Sequence, residues 1–278
     1  MFKNFFFILS LSFFLFISCC SFADVIFEWD FKGGDAQSSD KTDVSIKGNN
    51  LRMDFYHNGN KSGNSMIYLG DREELVFLNH IGKSYFVMNK ESMNSMAGNI
   101  NQAMSKMKDA LKNAPPEQRA MMERMMKGRL GAMQTPHIEE PVLKKVGFEK
   151  VDGYKCTKYE TYRGDEMVRL HYVTRWKNID GGSEIANVML GMGDFMDEWR
   201  KTFANRPKFI GSSMPSEKGI FKQLRKLDGF PVKTVNFFNG AIVGETTFSS
   251  VVKTNVDPLI FDPPDGYKKR DMKMPFNR

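Results

Sequence analysis

Residues 84–111 read SYFVMNKESMNSMAGNINQAMSKMKDAL, and the spacing of their apolar side chains changes part-way through. Up to Met88 the run is short and rich in aromatic and aliphatic residues, as in a strand; from there Met93, Met96, Ile100, Met104, Met107 and Leu111 recur every three or four positions. That spacing stacks them along one face of a helix, with polar residues filling the rest. A helix that begins only after a series of strands excludes a parallel fold in which strand and helix alternate.

Working outward toward the N-terminus, VIFEWDF places Val25, Phe27, Trp29 and Phe31 on one side and Ile26, Glu28 and Asp30 on the other. Period two means strand. The same reading covers TDVSIKG, LRMDFY, SMIYL, ELVFLN and KSYFVM, punctuated by GNN, HNGNKSGN, GDRE and HIGK. Short strands joined by Gly and Asn turns predict an antiparallel meander.

Toward the C-terminus, NAPPEQ breaks the helix at Pro115-Pro116 and can start another, whose Met121, Met122, Met125, Met126, Leu130 and Met133 cluster on one side. The result is a helical hairpin with arms over 91–113 and 117–133, roughly 35 and 25 Å long at 1.5 Å per residue. Strands return from Val142 through KKVGFEKVDG, YKCTKYETYRG and EMVRLHYVTRW. Residues 183–205 form a second helical stretch, striped by Ile185, Met189, Met192, Met196, Trp199 and Phe203, and a shorter helix follows around IFKQLRKL. FPVKTVNFF and AIVGETTFSSVVK close the chain as a hairpin turning at Asn239-Gly240.

Nine or ten strands with helices at two points make the fold α+β. The expected architecture is a curved antiparallel sheet, a half-open barrel, with the helical hairpin and further helices over its concave face. Nothing reads as a linker, so 24–269 is a single domain with a Met-rich hairpin insertion at 90–134. Residues 270–278 are a basic tail.

The N-terminus carries one cation, Lys3, then an uncharged run from Phe5 to Ala23. This is a secretory signal pattern, with Ser21 and Ala23 as a small-x-small site for cleavage after Ala23 and a periplasmic destination. Two alternatives compete: an uncleaved anchor, since the run is near spanning length, and a lipid anchor through Cys19 or Cys20. Cleavage of 23 residues from 278 leaves 255, with Cys156 as the remaining thiol, so no internal disulfide can form and stability must come from the core. Alternation around Cys156 makes it a buried, inert thiol. Loss of Lys3 turns 40 cations and 33 anions into 39 and 33, a charge of +6. The cations are scattered among strands, which disfavours nucleic-acid binding and leaves weak, peripheral attraction to anionic membranes.

His57, His80, His137 and His171 show no metal-ligand spacing, and CxxC, HExxH and GxSxG motifs are missing from the sequence. HNGNKSGNS has Asn60 where a phosphate loop needs glycine before Lys61, and it joins two strands; GMGDFMDE lacks the third glycine of a dinucleotide site. The chain is therefore expected to be non-enzymatic and without cofactor.

The methionines carry the functional expectation, since ten of the twenty lie between Met88 and Met133. Leu and Ile would specify a core better; Met is flexible and polarizable and suits an adaptable surface. Met93, Met96, Met104, Met107, Met121, Met122, Met125 and Met126 are the candidate contact residues for a lipid, an acyl chain or an apolar partner segment. The i, i+4 thioethers of Met121 with Met125 and Met122 with Met126 also suit copper(I). A purely structural role in the envelope, with the methionines only packing the core, is the third reading.

IKGNNLRMDF, KSYFVMN, VDGYKCTKYE, GFPVKT and FDPPDGYKK together resemble an uncharacterised family of exported, Met-rich bacterial domains, related in fold to the lipoprotein carriers of the LolA and LolB type. The resemblance spans most of residues 25–269. It implies a half-open antiparallel barrel in the periplasm or at the outer membrane of a Gram-negative bacterium, shielding acyl chains or a lipoprotein, with the Met hairpin as a lid. It brings no catalytic residues with it.

Overall fold

The computed structural model describes residues 24–33, 39–115, 117–119, 141–203 and 226–271. Strands β1 (Val25–Gly33), β2 (Ser39–Lys47), β3 (Asn50–His57), β4 (Asn60–Leu69), β5 (Glu74–Asn79) and β6 (Ser84–Met88) precede helix α1 (Lys90–Asn113). Strands β7 (Val142–Val151), β8 (Tyr154–Arg163) and β9 (Glu166–Thr174) precede helix α2 (Gly182–Phe203). Strands β10 (Phe230–Phe238), β11 (Ala241–Lys253) and β12 (Lys268–Lys269) complete the order.

All twelve strands form one open sheet, ordered β12-β6-β5-β4-β3-β2-β1-β11-β10-β9-β8-β7. Two meanders are thus joined where the first strand pairs with the eleventh. The described residues hold more strands than the nine or ten expected, and one pairing is not antiparallel: β12 runs parallel to β6. Two consecutive lysines carry no apolar alternation, so nothing in their pattern marks β12 as a strand. Extra residues interrupt the ladder between Glu28 and Trp29, between Asp54 and Tyr56, and between Pro231 and Lys233. Each such bulge bends its strand and raises the local twist, which curves the sheet.

Helix α1 starts where the sequence changes period. Asn89 Oδ1 accepts from the Ser92 amide at 3.0 Å, and the Asn89 amide donates to Ser92 Oγ at 2.9 Å, a reciprocal cap worth about 1 kcal/mol. The helix stops at Ala114, extended as a residue before Pro115 must be. The second arm of the expected hairpin lies outside the described residues beyond the helical 117–119; of the helix expected around IFKQLRKL, only Lys226 and Leu227 are described, and both are helical.

Both helices lie on one face of the sheet. Cross-strand register places Val25, Ile46, Leu51, Tyr68, Leu75 and Met88 in one row across β1 to β6, all buried. Met93 of α1 and Ile185, Met189 and Met192 of α2 close over this row in a single core. Each side chain removed from water there contributes about 1.5–3 kcal/mol, and Cys156, a free thiol, packs in the same core. The stripe read for α2 holds at Ile185, Met189, Met192 and Trp199, joined by Val188 and Phe195; Met196 is half-buried.

The opposite face carries a second apolar cluster, in which Ile67, Leu69, Val76 and Leu78 are covered by Val256 and Phe261 from the segment after β11. That segment ends as β12, with the Lys268 amide donating to Lys83 O at 3.0 Å and the Arg270 amide to Tyr85 O at 2.8 Å. The β6 edge, otherwise a row of unpaired backbone groups, is capped by this short strap.

Candidate functional site

Burial declines along the helix-bearing face with distance from the first row. In the second row Phe27 and Val44 are fully buried, whereas Met53, Met66, Phe77 and Phe86 are half-buried. Phe77 and Phe86 stack with ring centroids 4.7 Å apart, a flat apolar floor beside the two thioethers. In the third row, register aligns Trp29, Thr42 and Phe55, again half-buried.

Here the face opens into a cleft of about 290 Å³ lined by Trp29, Phe31, Asp40, Lys41, Thr42, Phe55, Tyr56 and Thr246. Its size falls just below the roughly 300–1,000 Å³ of small-molecule sites. Trp29 is held rigidly: its ring stacks on Phe230 at 5.8 Å with 9° between planes and meets the edge of Phe27 at 5.0 Å.

The ion pairs of Lys41 belong to the opposite face of these strands, where Glu28, Asp43 and Asp54 stand in one cross-strand row. Lys41 Nζ lies 2.7 Å from Glu28 Oε1 and 3.0 Å from Asp43 Oδ1, and these hydrogen bonds hold its ammonium well above the usual lysine range. Asp40 Oδ1 sits 2.6 Å from His57 Nδ1. With the Lys41 ammonium engaged on the other face, the apolar walls suit an uncharged, greasy group better than an anion.

A different cluster superficially resembles catalytic machinery. On the opposite face Ser65 Oγ is 2.5 Å from Asp54 Oδ1 and 2.6 Å from His80 Nε2, and His80 Nδ1 is 2.8 Å from Tyr267 Oη. Burial disfavours the Asp54 carboxylate, but hydrogen bonds from Arg52, Ser65 and Lys61 outweigh it and hold Asp54 well below the usual carboxylate range. Asp54 is thus an acceptor only, and it takes the single Ser65 proton. His80 Nε2–H then donates to Ser65 Oγ, and Tyr267 O–H donates to His80 Nδ1. A histidine that donates to the serine cannot deprotonate it, and Ser65 is 2% exposed, so no substrate reaches it. With Arg52 donating from Nη1 to Ile260 O at 2.6 Å, the chain of bonds fastens the C-terminal strap to the sheet.

Of the methionines singled out by sequence, Met93 and Met96 are buried beneath α1, and Met93 belongs to the main core. Met104 and Met107 fall in the C-terminal half of α1, but their side chains, like the whole of Met121, Met122, Met125 and Met126, lie outside what the structure describes. The copper(I) reading rests on those last four. Among the described residues no group of His, Cys, Asp or Glu could hold a metal ion. Cys156 is buried, and burial pushes its thiol pKa up, as an inert thiol requires.

The sequence reading missed the cleft. Its signal was the far end of VIFEWDF, where Trp29 and Phe31 continue the inward face of β1 beyond the rows the helices cover. Also missed was the burial of His171, whose Nδ1 lies 3.2 Å from Thr234 Oγ1.

No known family's sequence profile matches the chain, and no curated protein sequence does. Solved structures do align with it. An uncharacterised conserved protein from Thermus thermophilus is 8% identical over 89% of this chain and 90% of its own, with a TM-score of 0.42. The Pseudomonas aeruginosa MucA/MucB complex structure aligns at 8% identity over 86% of this chain and 55% of the matched chain, TM-score 0.33. A LolA superfamily protein from Nitrosomonas europaea is 9% identical over 86% of this chain and 89% of its own, TM-score 0.31. These overlaps are shallow, and the functional reading rests on the geometry of the chain itself.

Proposed function

We propose that the protein is a non-enzymatic binder of a hydrophobic ligand, an acyl chain, a lipid or an apolar partner segment, held against the helix-bearing face of its open sheet. One observation carries this reading: the floor of half-buried Met53, Met66, Phe77 and Phe86 runs into a cleft walled by Trp29, Phe31 and Phe55, while the Lys41 ammonium is paired with acids on the opposite face of the sheet. Flexible thioethers beside fixed aromatic rings adapt to chains of different length without fixed polar partners. In this proposal the Met-rich segment 90–134 is the adaptable lid, with Met93 and Met96 rooting it in the core and Met104, Met107, Met121, Met122, Met125 and Met126 facing the ligand. The signal pattern of residues 1–23 supports a periplasmic location, with cleavage after Ala23.

The test is native mass spectrometry of protein exported by a Gram-negative host, followed by solvent extraction and titration with a fluorescent fatty-acyl probe. Co-purifying lipid, or saturable probe binding weakened at least fivefold by Phe55→Glu in the cleft wall, is expected. Protein that arrives empty and binds no probe would refute the proposal.

A further inference from the structure

The exposed apolar side chains of the described residues are not spread evenly. Of the nine large ones, Phe238, Ile242 and Val243 flank one turn and Val142 stands at the same end of the sheet, 65%, 55%, 46% and 54% exposed respectively. The turn is Asn239-Gly240, where φ of 50° and 76° makes a tight two-residue hairpin between β10 and β11. The Asn239 amide donates to Glu166 Oε1 at 2.7 Å, tying this tip to the β8–β9 turn. Register places Gly33 and Lys32 beside Gly244 and Glu245, so the tip stands next to the end of β1, where Phe31 lines the cleft. Val142 pairs with Tyr162 at that same end.

We infer that the β10–β11 tip is a membrane-docking element, inserting Phe238, Ile242 and Val243 into the interface of an anionic lipid bilayer. Three properties favour a bilayer over a protein. The apolar groups project from a turn instead of lining a groove, so a deformable medium can envelop them where a rigid partner would need a matching socket. Lys32, Lys144, Lys145 and Arg163 are exposed at this end against Asp165 and Glu166, an excess of cations facing outward on a chain of net charge +7. The cleft opens at this end as well, so a lipid chain leaving the bilayer would meet Phe31 and Trp29 directly. Among the described residues no helix is long and apolar enough to cross a membrane. The docking inference stands whether or not the cleft holds a lipid.

The experiment compares the exported, purified protein with the triple variant Phe238→Ser, Ile242→Ser, Val243→Ser in co-sedimentation with phosphatidylglycerol/phosphatidylethanolamine vesicles. Thermal melts establish that both are folded. The wild type is expected to partition at least tenfold more strongly than the variant, and more weakly on pure phosphatidylcholine vesicles. In a second arm, Phe238→Trp places a fluorophore on the tip whose emission shifts to the blue when vesicles are added. Equal partitioning of wild type and triple variant together with an unshifted Phe238→Trp spectrum would overturn the inference. So would a dimer in sedimentation velocity that the triple variant dissociates, without vesicle binding by the wild type; that result would make the tip a contact between copies.

Discussion

The ring of Phe31 lies against the backbone of Gly244: a Cβ placed on Gly244 would come within 2.9 Å of Phe31 Cζ and 3.0 Å of Cε2. The glycine lets an aromatic wall of the cleft lie flat over β11. Gly244→Ala should therefore push the ring aside at little cost to the fold, since Phe31 is half-buried at the end of its strand and can swing. The expected melting temperature stays within a few degrees of wild type, a change of about 1 kcal/mol or less, while acyl-probe affinity moves at least threefold. Unchanged affinity in a probe titration would separate Phe31 from binding.

Gly182 opens α2 with still less room. A Cβ there would lie 2.0 Å from the carbonyl oxygen of Trp176, a backbone atom that cannot rotate away. Gly182→Ala is expected to cost about 3 kcal/mol or more by shifting the start of α2 from the core that Ile185 and Met189 complete, a loss measurable by urea unfolding.

Removing the Asp54 carboxylate should be far costlier than removing the last link of its chain. Arg52 is mostly buried and donates from Nε and Nη2 to the two Asp54 oxygens at 2.9 and 3.0 Å, so Asp54→Ala leaves a buried guanidinium without its counter-ion. Roughly 3–5 kcal/mol is expected. Tyr267→Phe deletes one hydrogen bond to His80, about 1 kcal/mol, but loosens the strap. Hydrogen exchange at the amides of Lys268 and Arg270 should accelerate in Tyr267→Phe while the amides of β1 keep their protection.

Stability should fall with mild acid. Burial, with the Arg169 charge adding to it, lowers the His171 pKa to about 3, and burial with Lys61 and Arg52 lowers that of His80. Both folded values lie below the ordinary 6.5, so between them and 6.5 the unfolded chain binds protons that the folded chain does not. Their stabilisation is complete above about pH 6.5 and is lost as pH falls through that value toward the folded pKa. Urea midpoints should drop between about pH 7 and pH 5, and His171→Asn should flatten the drop. A variant as acid-sensitive as the wild type would place the effect elsewhere.

Period and turn chemistry made most of the sheet legible in advance. The alternation of β1, the change of spacing after Met88 and the Asn239-Gly240 hairpin each reappear as read, because every strand of the first meander turns an apolar face to the core beneath the helices, β4 and β5 being apolar on the other face as well. Two things were not legible. Strand β12 is held by backbone groups alone, so its lysines leave no trace in hydropathy. The cleft arises where rows set by cross-strand register outrun the helices, and register between distant strands is not written in any single segment. Thioether density drew attention to residues 121–126, while the half-buried Met53 and Met66, one to a strand, went unremarked.

The seam between β1 and β11 has a consequence for how the molecule comes into being. Val25 pairs with Lys253, so the strand made first waits for one of the strands made last before the two halves of the sheet can join. Contacts spanning so much of the chain form slowly. For a protein exported as proposed here, that delay is useful: a chain crossing a membrane N-terminus first cannot knit its central seam until nearly all of it has emerged on the far side, so the topology itself keeps the chain threadable during passage.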